Sequence, residues 1–220
     1  MKKKLIIVGT GLFPEVARCY FDELSEYDTI GYACHQKYKQ SDNLYGLPLY
    51  AIEDLKDIYS PEQVTIFVGI GYRQMNKVRQ HVYEELKALG YSFATFIHPN
   101  IKIWRSTSIG ENVFIFEDNT IQPYTKIGNN TTLWSGNHIG HHSHVGDHSF
   151  ISSHVVISGS CKVGNNVFIG VNATLYDGLI ISDETLVGAG AIISKNTKRK
   201  EVFVPTVTKA LLKNSEEIGF

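Results

Sequence analysis

The sequence predicts a small α/β domain followed by a parallel β-helix of hexapeptide repeats. Two observations carry this. Stepping six residues at a time from Ile97 to Ile193 meets only Ile, Leu or Val: Ile97, Ile103, Ile109, Ile115, Ile121, Ile127, Leu133, Ile139, Val145, Ile151, Ile157, Val163, Ile169, Leu175, Ile181, Val187 and Ile193. An amphipathic helix repeats its apolar residues near every 3.6 positions, so a fixed period of six marks a solenoid. Before it, short apolar runs alternate with helical patterns, as in parallel α/β sheets.

Taken in order, Leu5–Val8 is an apolar run ending in Gly9-Thr10-Gly11, followed by the helical pattern Glu15–Leu24. That is the opening of a nucleotide-binding βα unit. Thr29–Ala33 reads as a second strand, Leu47–Tyr50 as a short strand and Ile52–Ile58 as a short helix. Val64–Val68 is a further strand, ending in Gly69-Ile70-Gly71. Met75–Leu89 reads as a helix, with Val78, Val82, Leu86 and Leu89 at helical spacing. The domains expected are 1–97, 98–195 for the β-helix, and a C-terminal cap at 196–220 that includes the basic segment Asn196–Glu201.

Within the repeat, the residue after the aliphatic is often Gly (Gly110, Gly128, Gly140, Gly146, Gly164, Gly170, Gly188), where the chain turns. The residue two before it is mostly small or β-branched, from Thr107 and Val113 to Thr185 and Ala191. Both the aliphatic and the small register point into a narrow prism. Three hexapeptides make a coil, so residues eighteen apart stack. No insertion interrupts the run, so no long loop leaves the prism.

Composition excludes several classes. The formal net charge of −1 leaves no electrostatic footprint for nucleic acid. Three cysteines, Cys19, Cys34 and Cys161, are odd in number and unpatterned, which fits free thiols and a cytoplasmic location. The basic start leads into only four apolar residues before Gly9, too few for a signal peptide or membrane insertion.

Two features carry candidate chemistry. The turns Gly9–Gly11 and Gly69–Gly71 follow strands of one sheet, and such turns line the usual ligand crevice. Gly9, Gly11, Gly71, Tyr72, Asn76 and Arg79 are the candidates there. The third glycine of a dinucleotide fingerprint is missing. Cys34 and His35 stand where its acidic residue belongs, so a nicotinamide cofactor is rejected. The second feature is histidine. Six of the nine, His138, His141, His142, His144, His148 and His154, lie within seventeen residues, all in outward or turn registers. Imidazole serves as a general base near neutrality, as a metal ligand, or as an interface hydrogen-bonding group.

An α/β domain joined directly to hexapeptide repeats resembles the bacterial sugar acyltransferases that act on nucleotide-linked sugars. Among them are the bacillosamine-type and perosamine-type N-acetyltransferases and the proteins described as sialic acid O-acetyltransferases. Trp134–Ser143, Gly146–His154, Gly170–Ala173 and Gly188–Ala191 carry the resemblance. It implies a left-handed β-helix, a homotrimer, and acetyl-CoA or a similar acyl-CoA lying between two β-helices. It implies direct transfer to an amino or hydroxyl group of the sugar, in cell-surface polysaccharide (O-antigen, lipopolysaccharide) biosynthesis, with no metal. His141 matches the general base. His142 stands where an acidic orienting residue is usual, leaving Asp147 or Asp118 as candidate substitutes. Asn137 and His138 are expected to position the acceptor. Gly159, Val171 and Ala189 resemble positions along the coenzyme A arm; Lys209 is the candidate for its phosphates, and backbone N–H groups of the Gly159 turn are the candidates for the oxyanion. Two other classes share parts of this pattern: a zinc enzyme of the γ-carbonic-anhydrase kind, and a non-catalytic scaffold that binds nucleotide sugars.

Overall fold

The computed structural model describes residues 2–206, 208–212 and 215–218. The N-terminal domain is built on β1 (Lys3–Val8), α1 (Leu12–Leu24), β2 (Tyr27–Cys34), β3 (Asn43–Leu44), β4 (Leu47–Ala51), α2 (Leu55–Ile58), β5 (Thr65–Val68) and α3 (Lys77–Ala88). The sheet order is β3-β4-β2-β1-β5, parallel except for β3. Leu5–Val8 are all buried because β1 is central and covered on both faces, which is why it reads as a continuous apolar run. The β3–β4 hairpin was not expected. Its turn, Tyr45-Gly46, has positive φ at both residues (49° and 79°), the geometry that joins two tightly paired strands. Tyr-Gly announces such a turn more weakly than Asn-Gly does.

The helix expected from Met75 starts two residues later. Gln74, Met75 and Asn76 are all left-handed (φ 51°, 52° and 64°), so a right-handed helix begins only at Lys77.

From Phe96 the chain winds as a three-faced prism of two-residue parallel strands paired at eighteen-residue spacing, except that Leu186–Val187 pairs with Val202–Phe203 sixteen residues on. The first face has seven strands, from Phe96–Ile97 to Val202–Phe203. The second (Thr120–Ile121 to Ile192–Ile193) and third (Ser108–Ile109 to Ile180–Ile181) have five each. Both domain boundaries therefore move outward. Phe96–Ile97 pairs with Phe114–Ile115, and Val202–Phe203 pairs with Leu186–Val187, so 97 and 195 each fall inside the solenoid. The aliphatic register from Ile115 to Ile193 fills the interior, together with Val113, Val155, Cys161, Val167, Ala173, Leu179 and Ala191 of the small register. The C-terminal segment adds a short helix, Ser215–Ile218; the rest of the expected cap is partly outside the described residues.

The N-terminal domain lies on the first face. Phe13 and Tyr20 of α1 meet Phe114, Phe116 and, for Phe13, Trp134, while Tyr72 packs on Phe150 and Phe168. One apolar cluster runs through both domains, from Leu5 and Phe21 to Phe114 and Phe116. Each fully buried Phe is worth about 1.5–3 kcal/mol of transfer free energy, so this docking is part of the core.

Candidate active site

The prism has three corners. The first, between the first and second faces, carries Asp118, Gly136, His154, Asn172 and Gly190. The second, between the second and third, carries Tyr124, His142, Ser160 and Gly178. The third, leading back to the first face, carries Asn112, Asn130, His148, Asn166 and Glu184. All of these have positive φ. The six histidines close in sequence are therefore spread around the coil rather than gathered. His138 stands on the second face between Thr120 and Val156, and His144 on the third between Lys126 and Lys162. His154 is exposed at the first corner. His148 is buried at the third, in hydrogen-bond contact with Asn130 (Nδ1 to Nδ2 2.9 Å) and edge-on to Tyr83. Burial pushes its pKa below the ordinary histidine value. It is an interdomain residue, out of reach of a ligand at the second corner.

Only His141 and His142 share the second corner, and both are exposed. Their Nδ1 atoms are 3.1 Å apart. One must donate and the other accept. When His141 Nδ1–H donates, its Nε2 keeps a lone pair to take a proton. Each ring has a support that the sequence reading missed. Gln122 Oε1 accepts the His141 backbone N–H at 2.8 Å, and the Tyr124 ring stacks on His142 (centroids 4.7 Å apart, 23° between planes). Tyr124 and His142 are eighteen residues apart, so coil spacing was the available signal. Neither expected carboxylate serves His141. Asp147 is near the third corner, where its Oδ1 accepts the Asn129 N–H at 2.7 Å, and Asp118 is at the first.

Gly159 stacks beneath His141. A Cβ built there would come within 2.8 Å of both Cε1 and Nε2 of the ring, so the absence of a side chain leaves room for the imidazole. Val171 and Ala189 lie at the first corner, across the second face from Gly159, and within one chain they do not converge with it. Lys209 is exposed in the tail beyond Val202–Phe203.

Three expected contact residues are corrected. Asn137 is 1% exposed; its Nδ2 donates to Trp134 O and its Oδ1 accepts the Val155 N–H, so it braces the coil interior. Asn76 is wholly buried, with Nδ2 on Val167 O. Arg79 is 1% exposed, and its guanidinium donates to the carbonyls of Ile70, Gly71, Asn130, His148 and Ser149. Burial pushes its pKa down to about 9, which leaves it charged at neutral pH. Asn76 and Arg79 fasten the domains together and are closed to a nucleotide.

The glycine turns do come together. A Cβ on Gly9, whose φ is 135°, would meet Pro14 Cγ at 2.9 Å and Gly69 O at 3.3 Å. Gly11 and Gly71 border open space. The two turns thus form a single crevice wall at the carboxyl ends of β1 and β5. Tyr72 is beside it, more than half exposed while packed on Phe150 and Phe168.

Residues 4–86 match the family model of the PglD N-terminal domain. Residues 124–159 match the bacterial transferase hexapeptide (six repeats), and 161–195 the hexapeptide repeat of succinyl-transferase. Among solved structures, the acetyltransferase domain of PglB from Neisseria gonorrhoeae superposes with a TM-score of 0.79 at 22% identity, covering 91% of this chain and 96% of that one. PerB from Caulobacter crescentus, in complex with CoA and GDP-perosamine, gives 0.74 at 21%, covering 91% of each. WeeI from Acinetobacter baumannii gives 0.64 at 16%, covering 87% of this chain and 96% of that one. These likenesses establish the architecture, a Rossmann-like domain on a left-handed β-helix.

Proposed function

We propose that this PglD-type N-terminal domain on transferase hexapeptide repeats is an acyl-CoA-dependent acyltransferase for a nucleotide-linked sugar. The observation that carries this reading is the second corner, where His141 is exposed, braced by Gln122 and His142, and seated over a glycine. His141 Nε2 takes the proton from the acceptor amine or hydroxyl as that atom attacks the thioester carbonyl. The tetrahedral oxyanion needs a donor, and the backbone N–H of Gly159 makes no hydrogen bond among the described residues. Coenzyme A thiol leaves, taking the proton that His141 holds. His142 replaces the usual acidic partner by accepting from His141 Nδ1–H, and His138 borders the acceptor on the second face.

The nucleotide end is assigned to the crevice of Gly9, Gly11, Gly71 and Tyr72. Two solved structures support the substrate class, since one neighbour was crystallised with acetyl coenzyme A and another with CoA and GDP-perosamine. The acceptor is then an amino or hydroxyl group of a nucleotide-linked sugar in a cell-surface polysaccharide pathway, and the enzyme works in the cytoplasm. Among the described residues, no helix is long and apolar enough to cross a membrane.

The test is thiol release from acetyl-CoA against a panel of amino-sugar nucleotides. His141→Ala should lower turnover about 10²–10⁴-fold, the usual contribution of a general base, with the fold unchanged. Full activity in that variant would overturn the assignment.

A further inference from the structure

A second group of chemistry-bearing side chains lies in the N-terminal domain, away from the His141 corner. His81 and Glu85 are four residues apart on α3, so they share one face of that helix. His35 follows the carboxyl end of β2 directly. His35 Nε2 is 3.1 Å from Glu85 Oε2. One nitrogen or oxygen from each of the three residues lies within 4.8 Å of the others. Glu85 Oε2 is buried and accepts no hydrogen bond among the described residues, so the His35 ring nitrogen is its close polar neighbour. A buried carboxylate oxygen left in that condition costs free energy unless a cation meets it.

We infer that His35, His81 and Glu85 form a binding site for a divalent transition-metal ion of the zinc class. Two imidazoles and a carboxylate are a zinc donor set that leaves a fourth position for water. Magnesium and calcium prefer an all-oxygen shell and are disfavoured here. Donor atoms about 2.0–2.1 Å from a tetrahedral zinc are about 3.3 Å from one another. The His35–Glu85 separation already meets this. His81 is exposed, so its ring can turn inward without repacking the core. The ion would pin α3 to the end of β2, at the edge where sheets of this type receive ligands. The inference is independent of the acyltransferase reading and routes no step of that reaction through the metal.

The test is zinc titration of tag-free protein by calorimetry, with thermal unfolding alongside. The expected result is one zinc per chain and a thermal midpoint raised by zinc. His81→Ala and Glu85→Gln should each weaken binding by at least about 10–100-fold, the loss already seen when only an outer-shell partner is removed. Both should also abolish the zinc-dependent thermal shift. His81 is exposed, so its variant keeps the fold, and its midpoint without zinc verifies that. The His141 and His142 pair is the competing site. Zinc binding that survives His81→Ala and disappears in the double variant His141→Ala/His142→Ala would overturn the inference. So would failure of the unmodified protein to bind zinc. Cobalt substitution adds a signature, since absorption of the intense tetrahedral type is expected and a weak octahedral spectrum counts against the donor set.

Discussion

At the scale of single residues, the site depends on how the corner holds one imidazole. Gly159 is the sharpest case. Its φ is not in the left-handed region, so alanine is sterically acceptable to the backbone; the obstacle is the His141 ring 2.8 Å from the new Cβ. Gly159→Ala should tip the imidazole off its position and lower kcat well over tenfold, since a misplacement of about 1 Å can cost about 100-fold. Stability should change little, because the ring has solvent to move into. Kinetics paired with chemical denaturation would check this, and unchanged kcat would mean that the ring does not work from this pose. The same scale shows what the sequence conceals. His141 was singled out by the family resemblance alone, since the register places six histidines alike in outward or turn positions. Asn137 was misread although the signal was present: stepping by six from Thr107 lands on Asn137, in the register that points inward. Arg79 was illegible, since nothing in a helical pattern tells an arginine at a nucleotide from one capping carbonyls of another domain.

At the scale of elements, the third corner is a ladder of left-handed residues, Asn112, Asn130, His148 and Asn166, each one coil apart. Asn112 Nδ2 donates to Asn130 Oδ1 at 2.7 Å, and Asn130 Nδ2 meets His148 Nδ1 at 2.9 Å. Asparagine suits this position because it tolerates positive φ and bonds along the stack. His148 is the one titratable group in that run. Asp147, Arg79, Glu84 and Lys87 are the charges around it, yet burial dominates and lowers its pKa. Its folded value is therefore below its unfolded one. Its share of stability is complete above about pH 6.5, the unfolded value, and is lost as the pH falls from there through the folded value. His148→Asn should remove that part of the pH dependence while keeping the turn. Unfolding free energies between pH 7.5 and 5 would test it, and parallel slopes for the two proteins would rule the role out. The hexapeptide strands could be read from sequence because burial repeats every six residues. The hairpin of β3 and the start of α3 could not, because they rest on positive φ at Tyr45, Gln74 and Met75, residue types that seldom adopt it.

At the scale of the whole molecule, the second corner separates the two prism faces that the N-terminal domain leaves uncovered. His141 and the crevice of Gly9 and Gly71 thus belong to different sides of one chain, and under the proposed function a neighbouring copy would complete the site. The uncovered faces are suited to that. Val156 (38% exposed) and Ile192 (66%) point outward from the second face, Ile180 (47%) from the third, and Tyr176 (52%) lies at their shared edge. Covering each aliphatic side chain is worth up to about 1.5–3 kcal/mol before the cost of association. Three prisms packed around a threefold axis would bring the first corner of one chain, with Val171 and Ala189, towards the Gly159 corner of the next. That places the proposed coenzyme A residues on one cleft, which a single chain does not. The expected solution mass is then about 74 kDa, three times 24.7 kDa. Val156→Asp puts an unpaired charge into this interface, at a cost of several kcal/mol per ion. It should leave a folded chain near the single-copy mass by light scattering, with its far-ultraviolet dichroism intact and its acetyl transfer abolished although His141 is unchanged. A fully active monomer would show that one chain carries a complete site, and the assignment of the acyl cleft to two copies would fall.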